Sequence, residues 1–257
     1  MKDSGISIHL TPKLRLKQAL KKAGVNDPAT VKQLAISGTV TKKDFAYIVS
    51  QMDETLQELD MSYANIEEDS IGENALCGCS GLTSVVIPNS VWEIEDCAFT
   101  GCTGLTSITI PDSVEKMGSL AFDGCSNLTS ITIPKSVTNM GFFVLFGCEE
   151  LKSIVVDVAN PVFSSEDGVL FNKEKTELIF CPRGRQGDYV IPDTVVKILY
   201  DAFVLCKGLS SITVPKTVKE IEADLVGLVY DGSAIIFVHP GNPVYESVEG
   251  RIRRKKR

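Results

Sequence analysis

The sequence predicts a repeat solenoid of the α/β class, a right-handed coil with a parallel β-sheet along one face. Two observations predict it. Cys79, Cys102, Cys125 and Cys148 recur every 23 residues. Each stands in the same phrase, as in Gly101-Cys102-Thr-Gly-Leu105-Thr-Ser-Ile108-Thr-Ile110-Pro111 and, one period later, Gly124-Cys125-Ser-Asn-Leu128-Thr-Ser-Ile131-Thr-Ile133-Pro134. A unit this short cannot bury its apolar face alone, so neighbouring copies must stack and share a core.

The N-terminal stretch, residues 1–30, is expected to supply an α-helical cap over residues 11–24. Thr11 suits the cap, Pro12 the first helical position and Gly24 the stop. Leu16, Ala19, Leu20 and Ala23 form one apolar stripe, with Lys17, Lys21 and Lys22 on the other side. A free-standing basic helix would suit a membrane surface or an acidic partner; the plainer reading is a cap on the first coil. Residues 31–70 read as irregular leading repeats. A strand at Val31-Lys-Gln-Leu34-Ala-Ile36-Ser is followed by a helix capped by Thr41, with Phe45, Ile48, Val49 and Met52 on one face. The next strand is Leu56-Gln-Glu-Leu59-Asp-Met61-Ser. Both strands follow the Leu/Val-x-x-Leu-x-Ile/Met pattern, which makes the coil leucine-rich-repeat-like.

Residues 71–157 hold the regular repeats. In each, the strand buries alternate residues and a proline ends it, because proline cannot donate to the ladder. The return arm places Val114, Met117, Ala121 and Phe122 inward at near-helical spacing, which predicts a short helix or 3-10 turn. Ala98-Phe99, Ala121-Phe122 and Ala202-Phe203 should stack their rings along the core. Strands should centre near Leu34, Leu59, Val85, Ile108, Ile131, Ile154, Val190, Ile212 and Ile236. Residues 158–188 read as an inserted β-hairpin, with strands over 160–171 and 176–182 around a polar turn at 172–175. Residues 189–241 resume the repeats. Residues 242–257 read as a partial repeat and a basic tail, since Asn242-Pro-Val-Tyr245 mirrors Asn160-Pro-Val-Phe163, 82 residues on. The whole is read as one solenoid domain.

Net charge is −7, and the last seven residues hold six of the 26 basic side chains. The remaining body is strongly acidic, which disfavours nucleic acid as its partner. The tail reads either as a frayed terminus or as a patch for a polyanion. No apolar run approaches the roughly 20 residues that span a bilayer, and the first residues show no signal-peptide core. Equivalent positions on adjacent coils lie about 4.8 Å apart, beyond the ~3.8 Å between the Cβ atoms of a disulfide. The repeat cysteines therefore read as small buried hydrophobes, with a metal ladder as the alternative. Cys77, Cys79, Cys97 and Cys102 lack the paired spacing of zinc sites, and the two histidines, His9 and His239, lie far from them in sequence. No cofactor or metal is expected.

The segment Ile110-Pro111-Asp-Ser113-Val114-Glu-Lys-Met117-Gly118-Ser-Leu-Ala121-Phe122-Asp-Gly124-Cys125-Ser-Asn-Leu128 resembles the BspA-like, or Treponema pallidum-type, leucine-rich repeats. Their signature runs Ile-Pro-x-Ser-Val-x-x-Ile-Gly-x-x-Ala-Phe-x-Gly-Cys-x-x-Leu-x-x-Ile, with Met117 here in place of Ile. The match covers residues 71–240. This resemblance implies a surface-exposed or secreted bacterial protein that acts in protein binding and cell adhesion and is not an enzyme. The lack of a signal peptide departs from the family and leaves an intracellular scaffold in the cytoplasm as the alternative.

On such strands the residues between the buried ones face the open side of the sheet. They are Ser84, Val86, Ser107, Thr109, Ser130, Thr132, Ser153, Val155, Ser211 and Thr213. The ribbon of hydroxyls would meet peptide or glycan groups; the competing reading is a solvated face with threonine chosen for β-propensity. Aromatic anchors are missing from this face, while Gln33, Glu58 and Asp60 on the leading strands would read basic groups. The expected partner is a protein or glycan on a host or neighbouring cell, and the chain is expected to be monomeric. The motifs of catalysis are missing: there is no Gly-x4-Gly-Lys-Ser/Thr phosphate loop, no His-Glu-x-x-His, and no histidine beside a nucleophile motif.

Overall fold

Alternating apolar residues make the strands, and the 23-residue period sets them beside one another. The computed structural model describes residues 5–222, 234–249 and 251–255. It divides into two compact units, Met1–Glu149 and Glu150–Arg257. No helix among the described residues is long and apolar enough to cross a membrane.

The first unit runs β1 (Ile6–Leu10), α1 (Leu16–Lys22), β2 (Gln33–Val40), α2 (Lys42–Met52), β3 (Glu58–Ile66), β4 (Ser70–Ile71), β5 (Ser84–Val86), β6 (Glu93–Ile94), β7 (Lys116–Met117), β8 (Ser130–Ile133) and β9 (Asn139–Met140). β1, β2, β3 and β5 pair in parallel, with Ile6 opposite Leu34, Leu34 opposite Leu59 and Leu59 opposite Val85. The fold is thus a leucine-rich repeat with parallel strands, mostly sheet. Near Ile108 the pairing narrows to one bridge, Val86 to Thr109. The backbone bonds beside it are long, 3.5 Å from the Thr106 N–H to the Thr83 carbonyl.

The N-terminal region differs from the expected helix alone. Ile8 and Leu10 point into the core from β1, which adds a strand before the first predicted one. The helix begins at Leu16 because Thr11 and Leu14 close a turn on each other, their backbones exchanging two hydrogen bonds. Gly24 ends it at φ +83°, a conformation that glycine adopts without strain.

The return arms also differ from the helical or 3-10 turns expected. β4, β6, β7 and β9 form a second parallel ladder of two residues per strand. Beyond it the N–H groups of Leu76, Phe99 and Phe122 donate to the carbonyls of Ala98, Ala121 and Val144 on the next coil, at 2.8–2.9 Å. Backbone groups satisfied between coils have no need of helical bonds along the chain. The apolar spacing here arises from two left-handed residues per coil, not from helix. Asn74, Cys97, Leu120 and Phe143 stand 23 residues apart with φ between 56° and 58°. Gly141 is needed where coils approach closely, since a Cβ there would sit 2.4 Å from the Ser119 nitrogen.

Phe99 and Phe122 are fully buried and stack at 5.2 Å with rings 7° from parallel. The repeat cysteines are buried free thiols beside them. Cys102, Cys125 and Cys148 donate their S–H to the carbonyls of Leu76, Phe99 and Phe122 on the preceding coil, at 3.1–3.3 Å. Burial pushes the Cys79 thiol up to about 12 and those of Cys102 and Cys125 further still. Since the thiolate is the nucleophile, these groups should be unreactive. Cys77 and Cys97 are only half-buried. Native protein should therefore yield close to two fast thiols with an aromatic disulfide reagent, and denatured protein all eight. Modification of more than half of them in the native state would contradict the packing described here.

The second unit runs β10 (Ser153–Val156), β11 (Phe163–Glu166), β12 (Val169–Asn172), β13 (Glu177–Phe180), β14 (Gly187–Val190), β15 (Lys197–Ile198), β16 (Leu209–Val214), β17 (Glu220–Ile221), β18 (Ile235–Val238), β19 (Tyr245–Val248) and β20 (Arg251–Arg254). β14, β16 and β18 form a parallel sheet, and β13, β15 and β17 a parallel ladder. β11, β12 and β13 pair antiparallel. The segment read as one strand over 160–171 is split by a turn at Asp167 and Gly168, both at positive φ. The polar turn at 172–175 is closed by Asn172, whose Oδ1 accepts from the N–H groups of Thr176 and Glu177. Phe203 tilts at 52° on Tyr189 instead of stacking in a column. Arg251–Arg254 form a strand paired with β19, so this part of the basic tail is not frayed; Lys256 and Arg257 lie outside the described residues.

Candidate binding surface

The strand face follows from alternation on each strand. In the first unit Val85, Ile108 and Ile131 point inward, leaving Ser84, Val86, Ser107, Thr109, Ser130 and Thr132 exposed. Glu58 lies opposite Ser84 and Asp60 opposite Val86, and Val86 is bridged to Thr109. A shallow cleft of about 300 Å³ opens between two of these rows, lined by Ser84, Val86, Asn89, Ser107, Thr109 and Pro111. β1, β2, β3, β5 and β8 contain no lysine or arginine, so the outward charges on them are the carboxylates Glu58 and Asp60.

A second cleft of about 300 Å³ lies on the leading strands, bordered by Ser7, His9, Ser37, Asp60, Ser62 and Tyr63. His9 Nδ1 and Ser37 Oγ are hydrogen-bonded at 3.0 Å. Tyr63 is 85% exposed at its rim. The expectation that this face lacks aromatics is corrected here. β3 runs on to Ile66, past the Leu-x-x-Leu-x-Met pattern, and so carries Tyr63 onto the surface.

In the second unit the expected residues are more covered. Ser153, Ser211 and Thr213 are half-buried, while Val155 is exposed. The hairpin crowds Ser153, where the backbone of Gly168 comes close and Ser165 Oγ accepts from the Val156 N–H at 3.0 Å. Ser211 Oγ donates to Asp188 at 2.7 Å. Val190 and Phe237 lie on either side of Thr213 in register, and Ile235 stands opposite Ser211. Val190, Ile235 and Phe237 are all more than half exposed, so this sheet face is apolar where the first unit's is hydroxylated. The alternation of β14 and β18 is the signal for these three, but neither strand follows the repeat phrase closely.

A family model described as BspA type leucine rich repeat region matches residues 69–183 and 179–226, in six copies. No curated protein matches. Among solved structures, a leucine-rich repeat protein from Eubacterium ventriosum is similar at 24% identity and a TM-score of 0.53, over 72% of this chain and 62% of that one. The pneumococcal vaccine antigen PcpA is similar at 18% identity and a TM-score of 0.50, over 87% of this chain and 58% of that one. A leucine rich cell surface protein from Faecalibacterium prausnitzii aligns at 26% identity with a TM-score of 0.48, over 74% of this chain and 57% of that one. The chain thus spans about three fifths of the length of these proteins.

Proposed function

We propose that this chain, which belongs to the BspA-type leucine-rich repeat family, is a non-catalytic module that binds a protein or glycan ligand at a cell surface. The observation that carries the reading is the row of exposed hydroxyls at Ser84, Ser107, Thr109, Ser130 and Thr132, on β5, on β8 and on the extended segment bridged to β5 at Thr109, with the carboxylates Glu58 and Asp60 beside β5. Parallel strands joined by crossovers are right-handed in nearly all proteins, so each unit is read as a right-handed solenoid segment with a rigid sheet face. Small molecules favour enclosed apolar pockets, whereas these clefts are open and edged by the hydroxyls of Ser84, Ser107 and Thr109 or of Ser7, Ser37 and Ser62, which suits an extended partner. Membership of the BspA-type family, over the matched repeats, is what supports a place at a cell surface. Affinity from hydroxyl contacts alone is modest; Tyr63 is the aromatic anchor at hand.

Substituting Ser107, Thr109, Ser130 and Thr132 together by lysine leaves the buried positions alone. Binding to a target cell surface is expected to fall by about tenfold or more, since four new charges must be desolvated or repelled at the contact. Unchanged binding by a variant with a native circular dichroism spectrum would move the site elsewhere, with the hairpin at 160–182 next in line. One observation favours a second reading, an intracellular scaffold. Cys77 and Cys97 are partly exposed free thiols, and such groups persist best in a reducing compartment.

A further inference from the structure

α2 carries a wider apolar stripe than the core uses. Phe45, Ile48 and Met52 are buried, but Val49 is only half-buried and Ala46, one turn before it, is exposed. Across from them stand Ile66, at the end of β3, and Ala75, both buried. Between the two sides lies a cavity of about 340 Å³ with mostly apolar walls. Its volume is in the range of small-molecule sites.

The polar part of the lining sets the charge. Ser70 is buried, and its Oγ donates to Glu95 Oε1 at 2.6 Å. No described residue donates to that Oγ in return, so its lone pairs are open to a donor in the cavity. Glu95 Oε2 accepts from the Glu73 N–H at 2.9 Å, which fixes this carboxylate behind the hydroxyl. Glu67 and Glu73 line the same cavity and have no ion pair among the described residues. Lys42, the one cation in this lining among the described residues, pairs with Glu68 at 3.1 Å. Its pKa is raised, chiefly by that hydrogen bond, and Glu95 and Glu67 add to the effect. Negative charge is therefore in excess here. The turn beside the cavity is also held in a costly shape. Glu68 and Asp69 follow one another at φ 63° and 49°, and the Asp69 carbonyl accepts from the Trp92 N–H at 2.9 Å. Strain of this kind persists where neighbours hold it, and it clusters at ligand clamps.

We propose that this cavity binds a small amphipathic amine, its apolar body against Phe45, Val49 and Ala75 and its ammonium at Ser70, Glu67 and Glu73. The walls supply apolar burial. The ammonium donates to the open lone pairs of Ser70 and forms charge-assisted bonds with the carboxylates. A carboxylate or phosphate ligand would meet like charge. A neutral ligand would desolvate Glu67 and Glu73 with no counter-charge. None of the lining residues belongs to the exposed hydroxyl row, so failure here would leave the strand-face reading untouched.

The probe is tryptamine, titrated into the full chain by calorimetry. A Kd of about 100 μM is expected for a ligand of about a dozen heavy atoms. Its neutral counterpart 3-ethylindole should bind about tenfold more weakly, and the anion indole-3-propionate weaker still. Ala46→Phe fills the cavity from an exposed helix position and should abolish binding. The double variant Glu67→Gln, Glu73→Gln keeps the space and should lose about tenfold in affinity. All three positions are exposed, so both variants should fold, which far-ultraviolet circular dichroism would verify. The proposal is overturned by no tryptamine binding at millimolar concentration, or by undiminished binding to either folded variant. Equal affinity for tryptamine and either of the other two indoles would overturn it as well. Binding of N-acetyl-tryptophyl-lysine amide without tryptamine binding would do the same, in favour of a side chain of a partner protein.

Discussion

Replacing Phe122 by alanine is expected to destabilise the first unit by about 4 kcal/mol. The ring is fully buried and stacked on Phe99 at 5.2 Å, so its removal loses both transfer energy and the contacts lining the void. The surroundings cannot easily collapse into the space. The Phe122 N–H donates to Val144 on the next coil, and its carbonyl accepts from Cys125 in its own coil and from the S–H of Cys148 in the next. In a repeat array stability is close to a sum of coil and interface terms, and this residue stands at two interfaces. Phe122→Leu, which refills most of the volume, should cost about 1–2 kcal/mol. Urea unfolding followed by far-ultraviolet circular dichroism measures both. A loss of less than about 1 kcal/mol for the alanine variant would show that the coils repack freely.

Much of this architecture was legible because the period repeats the same physical demand. Leu105, Ile108, Ile110, Val114, Phe122 and Cys125 are inward in sequence and buried in the structure. What the period did not reveal was backbone conformation. Leu120 and Phe143 sit in the left-handed region, which their side chains do nothing to announce, so an apolar spacing near 3.6 passed for helix. β1 occurs once, outside the repeat, and its alternation of Ile6, Ile8 and Leu10 is too short to stand out. Asp167-Gly168 is a recognised hairpin signal, hidden inside a run that also reads as one strand. For the candidate surface, position on the strand could be read from the pattern, but cover from neighbours could not. Ser153 and Ser211 are hydroxyls in the same register as Ser107, yet the hairpin crowds one and Asp188 engages the other.

Asp44→Ala should cost about 3 kcal/mol, through electrostatics and not volume. Asp44 is a buried carboxylate in α2, and it serves two helices. Its Oδ2 accepts from the Thr41 N–H and hydroxyl, both at 3.0 Å, completing a Thr-x-x-Asp capping box. Its Oδ1 accepts from the Leu16 N–H at 3.0 Å, one of the donors that the first turn of α1 leaves unpaired. Arg15 forms an ion pair with the same carboxylate. Alanine would strand a buried N–H and a guanidinium that is only a quarter exposed, which is the costly way to break such a pair. Asp44→Asn keeps the shape and one acceptor but turns an amide donor toward existing donors, so about 2 kcal/mol is expected. The Arg15→Ala, Asp44→Ala double variant should be less destabilised than the sum of the two single changes, because neither leaves the other unpaired twice. Thermal unfolding of the four proteins gives the coupling. Hydrogen exchange at the Leu16 amide gives the local effect, which should accelerate in Asp44→Ala alone far more than in Arg15→Ala. Equal protection at Leu16 in both single variants would mean that the carboxylate does not cap α1.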